Sequence, residues 1–297
     1  QGSNHIITTS TITGPTPIPK TSGNFGILNG ATSSNIRIFL NSISKFNGTD
    51  TSGIQMANGA SYISVTSNNV FQNSFGISST TGKFVKIEAN TINNNYAGGI
   101  LLTTPGFGTF SAGPITINDN TIVDNAQEPN NDAQCNNLHC SGINIKGTRP
   151  TWDSVTITSN NIKDTQSTHT QLYDIYIFSI QYTNLTIVGN TLGNTASGQT
   201  IVMTVNPLST WIISDNSGFN PQPKRSVTAG TSVYTYTNND GYREQLELTN
   251  VAGLTGLTCR GTAQIIQLDG LTPILNTSDT CIFTWAVTAP TFDILPQ

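Results

Sequence analysis

Charge is the first thing this chain lacks. Only 9% of its 297 residues are Asp, Glu, Lys or Arg, and the net charge is −4. Its Lys and Arg residues are scattered, so no basic stripe tracks a phosphate backbone and a nucleic-acid partner is excluded. Long apolar runs are missing too: none approaches the ~20 residues a helix needs to cross a bilayer, which excludes a helical membrane span. Cysteine is limited to four residues, in two local pairs, Cys135 with Cys140 and Cys259 with Cys281. An even count confined to one loop and one terminal stretch predicts two disulfides and an extracellular setting, with free thiols as the alternative. Zinc is not indicated, because Cys135, His139 and Cys140 lack a second ligand pair at finger spacing. No signal peptide is recognisable, and Gln1-Gly2-Ser3 reads as the remnant of an altered start.

By composition alone, so little charge among so much Asn, Thr, Ser and Gly would indicate disorder. The order of the residues argues otherwise. A phrase recurs in which two apolar residues flank one polar residue, an Asn follows, and another apolar residue comes two places later. The Asn is Asn41, Asn68, Asn90, Asn120, Asn160, Asn190 and Asn216. Before these stand Ile36/Ile38, Ile63/Val65, Val85/Ile87, Ile115/Ile117, Val155/Ile157, Leu185/Ile187 and Trp211/Ile213. After them come Ile43, Val70, Ile92, Ile122, Ile162 and Leu192, until Gly218 breaks the series. A further apolar strand completes most repeats, as in Ile54–Met56, Ile100–Leu102, Ile143–Ile145, Ile175–Ile177 and Ile201–Met203.

Alternation with period two is the signature of a half-buried strand. The Asn-to-Asn spacings are 27, 22, 30, 40, 30 and 26, a short fixed path with extra residues at the corners. Repeats of that length stack, because none can bury its apolar face alone. The fold class is therefore all-β: a right-handed parallel β-helix of six to seven coils followed by a small antiparallel β-sandwich or prism. The Asn column is read as structural, each side chain bonded to the Asn one coil above and below, at a corner where Asn tolerates left-handed backbone.

Residues 1–34 form an irregular N-terminal segment or cap, 35–220 the helix, and 226–297 the C-terminal module. The module is expected to contain strands at Ser232–Thr237, Glu244–Thr249, Ala263–Leu268 and Thr280–Val287, with Asn239-Asp240-Gly241 as a hairpin-type turn. Long loops at Thr103–Gly113, Ala126–Gly142, Lys146–Trp152 and Thr165–Tyr173 gather on neighbouring repeats, where function tends to sit.

The repeat resembles the parallel β-helix group that includes pectate lyases, mannuronan epimerases and phage tailspikes. The tail resembles a small β module of phage-tail and secreted proteins, through Tyr234–Gly241, Gly256-Leu257-Thr258 and Thr284–Pro290; Cys259 and Cys281 are additions to that pattern. The resemblance implies a polysaccharide ligand on a cell surface or wall and a secreted or virion-surface location. It supplies no catalytic set: there is no Asp-Pro-His motif, and no run of Asp matching a lyase calcium site with a downstream Arg.

Four residues after the anchoring Asn stand Lys45, Gln72, Asn94, Asp124, Asp164 and Asn194. Asp124 and Asp164 thus occupy equivalent places on adjacent coils, stacked about 5 Å apart at strand spacing. That separation suits the nucleophile and acid of a retaining glycosidase, and the pair is the candidate catalytic centre. The alternative is two corner carboxylates that splay apart in solvent. Candidate substrate-binding residues are Arg149, Trp152, Asp153, His169, Tyr173, Asp174 and Tyr176, which combine acids, a cation and rings that can face a sugar. Tyr176, between Ile175 and Ile177, is expected to face outward.

No cofactor is expected. Glu128 and Asp132 with Asn130 and Asn131 offer oxygen ligands for calcium, at a spacing that matches no recognised loop. Two functions follow. One is an extracellular enzyme, hydrolase or lyase, that binds and cleaves glycan. The other is a non-enzymatic adhesin, spike or structural surface protein whose terminal module recognises a receptor or joins a homotrimer.

Overall fold

The computed structural model describes residues 4–15, 23–30, 33–48, 51–57, 59–80, 82–104, 113–127, 140–147, 152–178, 182–204, 211–219, 225–238, 244–250, 253–263, 273–276, 279–286 and 288–296. The chain divides into two compact units, 1–205 with 216–219, and 206–215 with 220–297.

The first unit is a right-handed parallel β-helix with three sheets. Within this unit the first sheet runs, strand by strand, Ile6–Thr8, Ser34–Phe39, Ser61–Thr66, Lys83–Glu88, Ile115–Asn118, Trp152–Thr158 and Tyr182–Val188. Among the described residues the second and third sheets each hold seven strands, which makes seven complete coils. Register is set by the apolar columns. Ile36, Ile63, Val85, Ile115, Val155 and Leu185 align in the first sheet, as do Ile43, Val70, Ile92, Ile122, Ile162 and Leu192 in the second. The third sheet aligns Ile27, Ile54, Ile77, Ile100, Ile143, Ile175 and Ile201. All these side chains are buried, and each contributes roughly 1.5–3 kcal/mol by leaving water.

The Asn ladder forms as expected. The Asn120 amide donates to Ile87 O at 3.0 Å, to Asn118 O at 3.0 Å and to Asn160 Oδ1 at 2.9 Å, while its own Oδ1 accepts from Asn90. The same set repeats from Asn41 to Asn190. One detail differs. The left-handed residue is the one before each Asn: Leu40, Ser67, Ala89, Asp119, Ser159, Gly189 and Asp215 all have φ between 54° and 69°. That turn drives the Asn side chain inward, where it satisfies carbonyls at the corner.

The N-terminal segment is not irregular throughout. Ile6–Thr8, Thr11–Thr13 and Phe25–Asn29 each pair with a strand of the next coil, so a full coil precedes Asn41. Ser10 stands at the ladder position there and donates its N–H to Asn41 Oδ1 at 3.1 Å.

Among its described residues the second unit contains two four-stranded antiparallel sheets. One orders Arg225–Thr228, Thr291–Pro296, Glu244–Asn250 and Ile274–Leu275; the other orders Tyr234–Thr237, Thr280–Trp285, Leu254–Cys259 and Thr262–Ala263. The strands at 225–228, 254–259, 274–275 and 291–296 lie outside the four expected from the sequence, and most of the expected strand at 263–268 lies outside the described residues. Phe283 of one sheet stacks on Phe292 of the other, centroids 4.8 Å apart, within a core that includes Tyr236, Leu246, Leu257 and Ile294. Cys259 and Cys281 are register partners on adjacent strands and form a disulfide.

Candidate functional site

The predicted acids lie at the corner between the second and third sheets. Lys45, Gln72, Asn94, Asp124 and Asn194 all take left-handed backbone there, with φ from 51° to 68°, but Asp164 does not. Equivalence in sequence therefore does not become equivalence in space. Asp124 keeps its carboxylate near the surface, accepting from the Thr165 N–H at 2.5 Å and from the Thr165 hydroxyl at 2.8 Å. Asp164 is fully buried. Its Oδ1 accepts from the Gln166 N–H at 3.0 Å and the Gln166 side-chain amide at 3.1 Å, with His169 Nδ1 3.8 Å away. Its Oδ2 accepts from the N–H groups of Thr170 at 2.6 Å and Gln171 at 3.0 Å. The segment 165–171 is bent around this one carboxylate, whose acceptor sites are taken by chain donors.

Asp174 is placed by a column of glycines. Gly26, Gly53, Gly76, Gly99 and Gly142 share one register position in the third sheet, and Asp174 is next in line. A Cβ at Gly142 would lie 2.4 Å from Ile162 Cγ2, and one at Gly99 would lie 2.7 Å from Ile122 Cγ2. Those β-branched neighbours leave no room for a side chain. Opposite Asp174 the second-sheet column has changed to Leu192, which has no β-methyl, and the corner admits a carboxylate. Asp174 is fully buried too, accepting from the Gly193 N–H and from the Gln171 side-chain amide, each at 2.7 Å. Burial pushes its carboxyl up to about 8; the hydrogen bonds from Gly193 and Gln171 oppose that rise and the charge of Asp164 adds to it. Asp174 is therefore protonated at neutral pH.

Gln171 links the two acids, through its backbone to Asp164 and its side chain to Asp174. It also ends a second amide ladder. Asn73, Asn95 and Asn125 stand five residues after their anchors; Asn73 N–H donates to Asn95 Oδ1 at 3.0 Å, and Asn95 Nδ2 to Asn125 Oδ1 at 2.9 Å. Each of their amides faces one glycine of the column, and Gln171 Nε2 takes the same place against Gly142. The five-residue offset was readable in the sequence for the Asn members; nothing there marked Gln171.

The rings lie on the outer side of the third sheet. Tyr173 and Tyr176 stack with centroids 5.2 Å apart, and Tyr176 and Phe178 follow at 6.3 Å. Tyr176 projects away from the helix interior, as its neighbours Ile175 and Ile177 require, yet only 3% of it is exposed. Its hydroxyl is held above the usual tyrosine range, by burial first and by Tyr173 second. Beside it, Phe75, Ala97, Leu101, Ala126 and Cys140, with Leu172, form a small apolar cluster separate from the helix interior. The outer surface of this sheet is thus a partly covered shelf with Tyr173 and Phe178 half-buried at its margin.

Of the predicted site residues, Asp124, Asp164 and Asp174 share one hydrogen-bonded corner, His169 stands 3.8 Å from Asp164, and Tyr173 and Tyr176 flank the corner. Arg149 lies outside the described residues, as do the side chains of Trp152 and Asp153. Glu128, Asn130, Asn131 and Asp132, the calcium expectation, also lie outside them, and so does Cys135; Cys140 is disulfide-bonded. Among the described residues, no helix is long and apolar enough to cross a membrane.

No protein-family model and no curated protein matches the chain. Among solved structures, the crystal structure of the Pseudomonas phage phi297 tailspike gp61 is similar, with a TM-score of 0.39 and 11% sequence identity. The match covers 98% of this chain and 57% of that one, so this chain spans a little over half the tailspike's length.

Proposed function

We propose that this protein is an extracellular or virion-surface β-helix that binds cell-surface or cell-wall polysaccharide along its flank, without cleaving it through Asp124 and Asp164. The observation that carries this reading is how the acids are used. A glycosidase needs two carboxylates with free lone pairs facing one sugar bond. Here one is buried under donors from its own loop and the other is tied to Thr165. Beside this corner, the surface left for a ligand is the margin of the shelf, where Tyr173 and Phe178 offer ring surface to a sugar. The disulfides suit an oxidising compartment. A homotrimer built on the C-terminal module is the assembly that fits a spike, and sedimentation of the intact chain tests it.

Retardation of the protein in gels cast with wall and capsular polysaccharides tests the binding face. Tyr173→Ala and Phe178→Ala should each weaken retention by about tenfold, the loss of one ring–ligand contact. Unchanged retention in both variants would remove the shelf from the account.

A further inference from the structure

A second feature lies three coils away, on the outer side of the first sheet. Asn4, Asn35, Tyr62 and Phe84 occupy successive rungs of one column, by the register of the strands that follow them. All four have left-handed backbone, with φ of 62°, 55°, 55° and 53°. Asn accepts that conformation readily, whereas a bulky ring there is a genuine outlier. The corner thus holds Tyr62 and Phe84 where the backbone favours Asn or Gly, and leaves them 55% and 48% exposed. Their rings are parallel, 4.7 Å apart and inclined by 6°, which is the spacing of the strands beneath them.

The stack is open at one end. Phe84 covers one face of Tyr62; the other looks along the column toward Asn35. On that side is a groove of ≈ 440 Å³ lined by Asn4, Ile6, Asn35, Ile36, Arg37, Tyr62 and Ser64, a volume in the range of small-molecule sites. A sugar ring presenting its C–H face to Tyr62 at the height of Asn35 would continue the stack by one rung. The polar lining is of the kind that bonds hydroxyl groups. Arg37 is exposed, with its guanidinium 5.4 Å from the Phe39 ring centre, and among the described residues it makes no ion pair. Lys86, on the same sheet face, is by contrast paired with Glu88 at 2.5 Å.

We infer that this groove binds one pyranose ring of an anionic glycan, the ring stacked on the free face of Tyr62 and its acidic substituent paired with Arg37. Asn4, Asn35 and Ser64 take the hydroxyl groups. The site is separate from the shelf around Tyr173 and does not depend on it.

Calorimetric titration of the full chain with a hyaluronan hexasaccharide and with neutral chitohexaose tests the inference. The acidic oligosaccharide should bind at least tenfold more tightly. Tyr62→Asn places in the corner the residue that Asn4 and Asn35 already supply, so thermal stability should hold while affinity falls at least tenfold. Tyr62→Phe should keep the affinity, and Arg37→Gln should abolish the preference for the acidic chain. Failure of wild type to bind the acidic oligosaccharide, or equal binding by wild type and Tyr62→Asn, would overturn the inference. If binding survives Tyr62→Asn but is lost in Tyr173→Ala, the groove is wrong and the proposed function stands.

Discussion

Asp174 holds a proton that the unfolded chain gives up, and the difference can be measured as stability. Its carboxyl titrates at about 8 in the folded protein, against an ordinary value of 3.8. Between those limits the folded chain binds more protons than the unfolded one, so raising the pH favours unfolding. The penalty is absent below the ordinary value and grows by roughly 1.4 kcal/mol per pH unit until the folded group ionises. Near pH 7 it amounts to roughly 4 kcal/mol, large beside the net stability of a typical domain. Asp174→Asn removes the titration without emptying the corner. The new amide oxygen can accept the Gly193 N–H, and its nitrogen can donate to Gln171 Oε1, a buried oxygen with no hydrogen-bond partner, once the Gln171 amide turns over. Urea unfolding of both proteins at about pH 5, 6.5 and 8 reads the effect. The variant's advantage should be smallest at the lowest pH and increase steadily to the highest. A constant gap would mean that Asp174 is ionised in the folded protein, and the account of the corner would fail.

Two other perturbations probe the scaffold. Asn120→Ala strips the ladder of one rung, removing the acceptor of the Asn90 N–H, one of three acceptors of the Asn90 side-chain amide and a donor to Ile87 O; a loss of about 3 kcal/mol is expected in urea unfolding, and a loss below about 1 kcal/mol would show the ladder to be dispensable. Replacing both Cys259 and Cys281 by Ala opens a bridge of sequence separation 22. That should lower the stability of the C-terminal module by about 3 kcal/mol, while far-ultraviolet dichroism of the helix melts as before.

The repeating coil was legible because burial imposes it on sequence: each turn repeats a pair of apolar residues, most of them β-branched, before an Asn whose amide has carbonyls to satisfy. The first coil escaped for the same reason. At His5-Ile6-Ile7-Thr8-Thr9-Ser10 only Ile7 falls on an apolar column, and Ser10 replaces the anchor, so the phrase is absent although the path is kept. The corner acids show where pattern stops being sufficient. Asp124 and Asp164 match in position, but one left-handed residue separates a surface carboxylate from a buried one. Asp174 was named as a ligand contact for its chemistry. Its position was nevertheless written in the chain, since Gly53, Gly76, Gly99 and Gly142 each precede the inward Ile of the third strand and Asp174 breaks that run just before Ile175. The stack of Tyr62 on Phe84 was hidden because the two are neighbours only through the coil register.

The measurement that bears most directly on the account is incubation of the protein with a polysaccharide that it retains in gels, followed over time for new reducing ends and for the ultraviolet absorbance of an unsaturated uronate. Binding without either product, unchanged in Asp124→Asn, is the predicted result. Release of reducing ends that is lost in Asp124→Asn would contradict it and restore the corner as a hydrolytic centre.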